Sequence, residues 1–385
     1  MTLDERARAW ARERPDPARD GAGWLGLVIG IVLASQASTN RPLGIVVALL
    51  LAVVLVVSTR WRVGWLIVVG LFVAGLAMRL DLYGVGVSDV LTVTRSAIDV
   101  ALGGGNPYGI GYDTSSPPGA PFPYGPLALL WYVPFRNDPR VLEFVVSIGI
   151  LIVLALRGRP VGLAIYALAG PLLLLASDGS NDTSAGLFLL VALVALPRSP
   201  LAGGALLGVA AAFKPYVIAW LPPLVAWAPF VGLLGFGAAS LIAWLPVWLV
   251  WGIPSFLDSF QGAQQVHAQP YYSLGAWVQG VTRSAVSQEL FDRLRLLLGG
   301  LTALITWPFV RSGRGVIVAG TLIYLVTLYA GYWSTYAYLA TIAPIICWNL
   351  DDWVGLGRGR VRWPGDPIGA WTAWADAHWP ILAPR

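Results

Sequence analysis

The ionisable side chains that could carry chemistry lie in the gaps between apolar runs. Asp89 is the first of them, at the start of a segment whose apolar residues recur with helical spacing. A carboxylate within hydrogen-bond reach of a sugar hydroxyl can remove its proton as a general base. The alternative is that Asp89 only complements the dipole of the helix that begins there.

Lys214 is the only lysine of the chain and is followed by Pro215, at a point where an apolar helix would break. An ionisable residue inside an apolar stretch is a functional candidate, and a phosphate group would suit its ammonium. The alternative is that the long side chain extends to the lipid headgroups.

Asp178 and Asp182 lie in a short polar turn, residues 177–182, between two apolar runs. They could hold a divalent cation or orient a sugar, whereas a solvated hairpin turn has the same composition. The chain has 2 histidines and 1 cysteine, which argues against a zinc site and excludes an internal disulfide.

Aromatic and amide side chains form a further group of candidates. Tyr108 and Tyr124 each directly follow a proline, so they suit both tight turns and stacking against a sugar ring. Gln264 and His267 lie in a stretch rich in amides and aromatics, where a structural histidine is the alternative. Tyr336 lies in a segment that also suits an aromatic belt at the membrane interface.

Composition indicates the setting of these residues. The chain is 57% hydrophobic and 12% charged, against roughly 25% charged residues in soluble domains. Because a membrane span needs about 20 apolar residues, we predict an all-α, polytopic transmembrane bundle of about 11–13 spans. The candidate spans are 22–38, 42–58, 64–80, 141–156, 161–176, 180–197, 201–213, 215–230, 231–251, 294–310, 315–331 and 335–349. The run 124–135 is either re-entrant or a further span.

The distribution of arginines predicts how the chain is oriented in the membrane. They are concentrated in a leader (1–21) and in a tail (351–385), so both are expected to be cytoplasmic, with one transmembrane domain over 22–350 and no removable signal peptide. This topology puts two long polar loops, 80–125 and 253–293, outside. It also explains the net charge of +5 without a nucleic-acid partner.

The first outer loop is expected to contain an amphipathic helix from Asp89 to Leu102. Its apolar face would consist of Val90, Val93, Ala97, Val100 and Ala101, and its polar face of Thr94, Arg95 and Asp99. Ser88 is the predicted N-cap, and the glycines at 103–105 are expected to end the helix.

Taken in order, these residues resemble the GT-C class of polyprenyl-phosphate-dependent glycosyltransferases, in particular the bacterial GT87 (DUF2029-type) mannosyltransferases. The matching features are Asp89, the helix after it, Gly105-Asn106-Pro107-Tyr108, Tyr124-Gly125-Pro126, Ser177 to Asp182, Phe213-Lys214-Pro215-Tyr216 and Tyr332 to Tyr336. The chain has one acid at position 89 in place of an Asp-x-Asp pair. The resemblance therefore implies no cofactor and no required metal ion.

The resemblance implies an inverting transfer of a sugar, mannose in this group, at the outer face of a bacterial plasma membrane. The donor would be a polyprenyl-phosphate sugar, and the acceptor would be lipid-linked or a glycan. Asp89 would be the general base, with Lys214, Arg95 and His267 at the donor phosphate. The sugar and the acceptor would contact Tyr108, Tyr124, Asp178, Asp182, Gln264 and Tyr336.

A lipid-linked-sugar flippase or transporter is the alternative, but the sequence lacks the paired halves typical of transporters. A non-catalytic membrane subunit is a third hypothesis.

Overall fold

A computed structural model describes residues 21–37, 40–61 and 64–355. The predicted all-α class is confirmed. The helices are α1 (Ala22–Ser35), α2 (Arg41–Trp61), α3 (Trp65–Leu82), α4 (Asp89–Leu102), α5 (Pro126–Tyr132), α6 (Arg140–Arg157), α7 (Pro160–Leu168), α8 (Gly170–Leu175), α9 (Asp182–Ala195), α10 (Pro200–Phe213), α11 (Leu221–Trp227), α12 (Val231–Ala243), α13 (Ile253–Gln265), α14 (Leu274–Thr282), α15 (Gln288–Thr306), α16 (Gly313–Tyr329) and α17 (Ala337–Trp353). The leader 1–21 and the tail 351–385, both predicted to be cytoplasmic, lie largely outside the described residues.

Short 3₁₀ and π turns and one small ribbon complete the secondary structure of the described chain. The 3₁₀ turns are Val133–Phe135, Pro215–Trp220 and Trp307–Phe309, and the π turn is Val247–Trp251. Strand β1 (Gly111–Tyr112) pairs antiparallel with β2 (Ala120–Pro121).

Few helices of the described chain are both long enough and apolar enough to span a membrane. Arg41–Arg60 and Trp65–Leu82 are long and apolar enough, and a third span exists if Pro126–Phe135 and Arg140–Arg157, bent by 101°, count as one. This bend is compatible with either prediction for 124–135. The other apolar helices have 10–17 residues, so their lengths do not confirm the predicted 11–13 spans.

Proline accounts for much of this shortening. The predicted span 215–230 folds as a 3₁₀ turn followed by α11, because Pro215 and Pro222 lack the amide hydrogen that a continuous helix needs. The predicted span 161–176 is divided between α7 and α8, where Ala169 is extended and Pro171 lies in the first turn of α8, a position that tolerates a residue without an amide hydrogen.

The described residues form two compact units. The first contains residues up to Val85, Phe144–Ser177 and those from Ala343 onward. In it, α7 packs on α1 and α3. Arg79 of α3 is fully buried and donates to the carbonyl oxygens of Tyr166 and Ala167 at 2.8 and 2.9 Å, so its positive charge lies at the C-terminal end of α7.

This position of Arg79 corrects a boundary. Helix α3 continues to Leu82, so the outer loop predicted to begin at 80 begins after that residue. The buried Arg79 side chain therefore lies in a helix–helix interface of the first unit. The other end of α7 also has a charged partner, because the Asp351 carboxylate accepts hydrogen bonds from the Val161 and Gly162 amides at 3.2 and 2.9 Å.

The second unit contains Gly86–Glu143 and Asp178–Ile342. Its centre is α10, which packs against α9 and α12. Gly204 and Gly208 allow the backbone of α12 to approach, since a Cβ at either position would collide with a carbonyl oxygen of α12. All candidate site residues named from the sequence lie in this unit.

Helix α4 has the predicted ends. The Ser88 hydroxyl accepts a hydrogen bond from the Val90 amide at 3.2 Å, and Gly104 after the helix has φ +80°. The buried face differs from the prediction. It consists of Leu91, Val93, Thr94, Ala97 and Ile98, whereas Val90, Val100 and Ala101 are only half-buried.

The predicted second outer loop, 253–293, is mostly helical. It contains α13, α14 and the start of α15. Both α13 and α14 are amphipathic, so the amides and aromatics that mark this stretch in the sequence are distributed along helix faces and the turn between them.

Candidate active site

Asp89 lies at the first position of α4 and is exposed. Its Oδ1 accepts a hydrogen bond from the Val90 amide at 2.9 Å. Within the described part of the chain, Oδ2 has no hydrogen-bond partner. The start of α4 is itself held by a main-chain hydrogen bond from the Ser88 amide to the Asp178 carbonyl oxygen at 2.8 Å.

Two other predicted residues lie within the electrostatic range of Asp89. Burial, followed by the charges of Asp182 and Asp89, raises the pKa of the Tyr124 hydroxyl well above its usual value. Burial lowers the pKa of His267, and the Asp89 carboxylate opposes that shift. Asp89 therefore lies within electrostatic range of Tyr124 and His267, and a site shared by the three residues remains a prediction.

His267 stacks flat on Trp333, with ring centroids 3.7 Å apart and planes 3° from parallel. Because its pKa is lowered from an ordinary value of 6.5, the imidazole is neutral near pH 7. A neutral ring donates one hydrogen bond but brings no positive charge. The placement of His267 at the donor phosphate remains a prediction, with the neutral ring as a hydrogen-bond donor.

Lys214 follows the last residue of α10, at the predicted helix break, and is buried. Its Nζ lies 2.6 Å from Oδ1 of Asp182, and the two side chains are 1% and 4% exposed. Asn181 Oδ1 accepts from the same ammonium at 3.1 Å, and the Thr341 hydroxyl donates to Asp182 at 2.9 Å. This ion pair engages the charges that the prediction assigned to phosphate and sugar binding, so both assignments are corrected.

Tyr124 connects the buried pair to the exposed acid. The Lys214 ammonium lies 5.6 Å from the centroid of the Tyr124 ring and 5.3 Å from that of Tyr338, within range of cation–π attraction. Asn181 Nδ2, on the same pair, is buried and has no hydrogen-bond partner in the described chain. An unsatisfied buried amide beside a half-buried tyrosine suits a polar ligand.

Glu143 is a buried acid that our sequence reasoning missed. Its carboxylate accepts hydrogen bonds from the Tyr132 hydroxyl at 2.5 Å, from the Ser184 amide at 3.0 Å and from the Ser184 hydroxyl. Trp131 Nε1 donates to the same hydroxyl at 3.0 Å. The available signal was an acid at the start of the apolar run 141–156.

Arg295 is a second residue missed from the sequence. Its Nη1 donates to Oε1 of Gln264 at 3.2 Å, and Nε2 of Gln264 donates to the Tyr216 hydroxyl at 3.1 Å. Arg295 is also paired with Asp292 at 2.7 Å. Gln264, predicted to bind sugar, is therefore engaged by protein groups on both sides of its amide.

Asp178 and Tyr336 are both half-buried. Oδ1 of Asp178 accepts from the Ser180 amide at 2.8 Å, and burial raises the pKa of the Asp178 carboxyl. Burial, and then the charge of Asp178, raises the pKa of Tyr336. These two predicted sugar-binding residues therefore lie near each other, on loops that lead into α9 and α17.

Two further predicted residues, Tyr108 and Arg95, interact with other groups. Tyr108 is 1% exposed, donates to the Tyr124 carbonyl oxygen at 3.0 Å and packs among Phe122, Trp251 and Phe256, so no sugar can stack on it. Arg95 is exposed, and its charge acts on Asp138, whose pKa is lowered mainly by a hydrogen bond from Arg140. The assignment of Tyr108 is corrected to a packing role.

No group of three or more histidine, cysteine, aspartate or glutamate residues in the described chain is arranged to hold a metal ion. Comparison with known proteins finds no matching family, no matching curated protein and no matching solved structure. The chemistry of the site has to be inferred from its own residues.

Proposed function

We propose that this chain is a membrane glycosyltransferase of the GT-C type. It transfers a sugar, mannose by resemblance, from a polyprenyl-phosphate donor to a hydroxyl of a lipid-linked or glycan acceptor. The observation that carries this proposal is the exposed Asp89 carboxylate, which acts electrostatically on Tyr124 and His267. The neighbouring acids Asp182 and Glu143 are engaged by buried partners.

Asp89 meets the first requirement for a general base, an accessible lone pair. One carboxylate oxygen holds the Val90 amide, which fixes the side chain, and the other has no partner in the described chain. A hydroxyl placed at that free oxygen could lose its proton as it attacks. Asp182 cannot act in this way, because its charge is already compensated by Lys214.

The reaction would proceed in one displacement. The acceptor oxygen forms a bond to the anomeric carbon while the bond from that carbon to the phosphate oxygen breaks. The electron pair of the broken bond stays on the polyprenyl phosphate, and the acceptor proton goes to Asp89. Attack opposite the leaving group inverts the anomeric configuration. The donor carries its own leaving group, so no nucleotide is needed.

The surrounding residues suit binding and orientation. The half-buried rings of Tyr124 and Tyr336 offer apolar faces and hydroxyls to a sugar, and the neutral His267 can donate a hydrogen bond. The ammonium of the buried pair of Lys214 and Asp182 lies 5.6 Å from the centroid of the Tyr124 ring. In this proposal Lys214 helps to position that ring and does not contact the phosphate.

A membrane location is part of the proposal. Helices α2 and α3 have the length and hydropathy of spans, and α2 exposes a row of large apolar side chains, including Leu49, Leu50, Val53 and Val56. Such exposure on one helix suits contact with lipid. We further propose that the shorter apolar helices complete a polytopic bundle in a bacterial plasma membrane, with both termini cytoplasmic and the site extracytoplasmic.

The experiment is transfer of labelled mannose from a polyprenyl-phosphate donor by the purified full-length protein in lipid vesicles, with a mixture of lipid-linked and glycan acceptors. Asp89→Asn should lower the rate about 10²- to 10⁴-fold. Asp99→Asn, which changes an exposed acid of the same helix, is the matched control and should keep the wild-type rate. Near-full activity of Asp89→Asn would exclude this base. Passage of labelled lipid across the vesicle without a covalent product would indicate a transporter instead.

A further inference from the structure

A polar cavity lies beside α14, within the second unit. Its volume is about 600 Å³, and its lining includes Gln269, Gln279, Arg283, Ser284 and Tyr332. This volume falls in the range of pockets that hold small organic ligands. None of these residues has a part in the sugar-transfer chemistry proposed for Asp89.

The cavity has an unbalanced positive charge. Arg283 is the only charged residue in its lining, which contains no carboxylate among the residues that the structure describes. Arg283 is exposed, and no ion pair to it occurs in the described chain. A guanidinium with five donors and no anionic partner, at the mouth of a polar cavity, suits a phosphate.

The rest of the lining adds neutral hydrogen-bonding groups. Nε2 of Gln279 donates to Oε1 of Gln269 at 3.3 Å, which orients the two amides across the cavity. Ser284 adds a hydroxyl and Tyr332 a buried ring. A phosphate bearing a polar substituent could use these groups in addition to Arg283.

The surface next to the cavity is apolar. Ala276, Gly280 and Arg283 face the cavity with helical spacing, and on the adjacent stripe of α14 Trp277 and Val281 are each 64% exposed. Exposed tryptophan beside a cation is the arrangement found at membrane–water interfaces. An anion bound here would therefore have room for a hydrocarbon chain along α14.

The wall of the cavity is shared with the candidate active site. The Tyr332 hydroxyl donates to the Ala268 carbonyl oxygen at 3.0 Å, and the Ser334 amide donates to the Tyr271 carbonyl oxygen at 2.8 Å. These bonds join the segment after His267 to the segment that carries Trp333. The cavity lining therefore includes Ala268 and Tyr332, the chain neighbours of the stacked His267 and Trp333.

We propose that this cavity binds the phosphate of an anionic lipid, with Arg283 as the anion ligand and with Trp277 and Val281 along the lipid chain. The inference deepens the proposed function, because the lipid would be the polyprenyl phosphate that the transfer releases. Only the identity of the lipid rests on the proposed function. The anion site rests on the geometry of the cavity.

The test measures binding of labelled polyprenyl phosphate to the full-length protein in phosphatidylcholine nanodiscs. Arg283→Gln and Arg283→Gly should each weaken binding about tenfold or more, since a charge-assisted hydrogen bond is lost. Glycine suits the backbone here, where Arg283 has φ +53°, so a folding defect is not expected in that variant. Arg283→Lys should retain most of the affinity.

Arg293→Gln is the matched control. Arg293 is an exposed arginine of α15 whose partner is Glu289, and its loss should change binding by less than about twofold. Unlabelled polyprenol should not compete. Wild-type affinity in both Arg283→Gln and Arg283→Gly would overturn the proposal. Equal competition by inorganic phosphate and polyprenyl phosphate would overturn the assignment to a lipid in favour of a free phosphate.

The outcomes separate this inference from the proposed function. Sugar transfer that needs Asp89 but is inhibited by added polyprenyl phosphate equally in wild type and in Arg283→Gln would end the inference and leave the transferase standing. Lipid binding that needs Arg283, in a protein that transfers no sugar, would support the anion site and end the transferase proposal.

Discussion

Two acids of the second unit, Asp182 and Asp89, have opposite environments. Asp182 is buried in an ion pair with Lys214, and a threonine hydroxyl completes its surroundings. Asp89 is exposed, has one oxygen without a partner in the described chain, and influences two aromatic neighbours through space. The buried acid is committed to structure, whereas the exposed acid is available for chemistry. Burial alone would have pointed to Asp182, whose charge is already paired with Lys214.

The largest effect should come from breaking the buried pair. Asp182→Asn leaves the Lys214 ammonium buried without its counterion, and the free energy of unfolding should fall by about 3–5 kcal/mol. Thermal unfolding in detergent, followed by circular dichroism, would measure the loss. The double variant Asp182→Asn with Lys214→Met should be more stable than Asp182→Asn alone, because it removes the unpaired charge. A single variant as stable as wild type would contradict the structural role.

A smaller effect is expected at the N-cap of α4. Ser88→Ala removes the hydroxyl that accepts from the Val90 amide, and should lower the free energy of unfolding by about 1 kcal/mol. Ser88→Thr keeps the hydroxyl and serves as the control. Equal stability of Ser88→Ala and wild type would show that the Asp89 carboxylate, which also accepts from Val90, is a sufficient cap.

Asp89 itself should matter little for stability. Its charge at the start of α4 contributes about 0.3–1 kcal/mol by complementing the helix dipole. The unfolding transition of Asp89→Asn should therefore stay close to that of wild type, in contrast to Asp182→Asn. A loss as large as that of Asp182→Asn would place Asp89 among the structural acids and remove the contrast between the two residues.

The smallest expected effect is on His267. Burial lowers its pKa and Asp89 raises it, so Asp89→Asn should lower the pKa of His267 further. A histidine NMR titration can measure this, because the chain has only 2 histidines and His378→Asn would leave one. Since the folded pKa is below the unfolded value, the contribution of His267 to stability is present above pH 6.5 and is lost as pH falls below it. An unchanged pKa in Asp89→Asn would show that the two residues do not interact.

Local patterns in the sequence were sufficient for some features. Both ends of α4 could be predicted, because helix caps depend on residues that are close in the chain. These residues are Ser88 and Asp89 at the start and the glycines after Leu102 at the end. The helix break at Lys214 follows from Pro215 in the same way. Asp89, Tyr124 and His267 were predicted together from a resemblance, and the fold brings them within electrostatic range.

Other features depend on contacts between segments far apart in the chain. Nothing near Lys214 indicates that Asp182 neutralises it, and Glu143 gained no attention because its partners Tyr132 and Ser184 come from two other helices. Tyr108 has a turn sequence that suits a binding residue, but long-range packing buries it. The predicted number of spans is not confirmed, because hydropathy measures apolar length without the breaks that proline introduces.

The hydrogen bond from the Ser88 amide to the Asp178 carbonyl oxygen involves only main-chain atoms. Substitutions at either position, with one exception, can change size, charge or polarity without removing it. The exception is proline at position 88, which has no amide hydrogen. Most replacements at positions 88 and 178 should therefore leave the distance between the start of α4 and the turn at Asp178 unchanged. Divergent sequences could share this distance without sharing the two side chains.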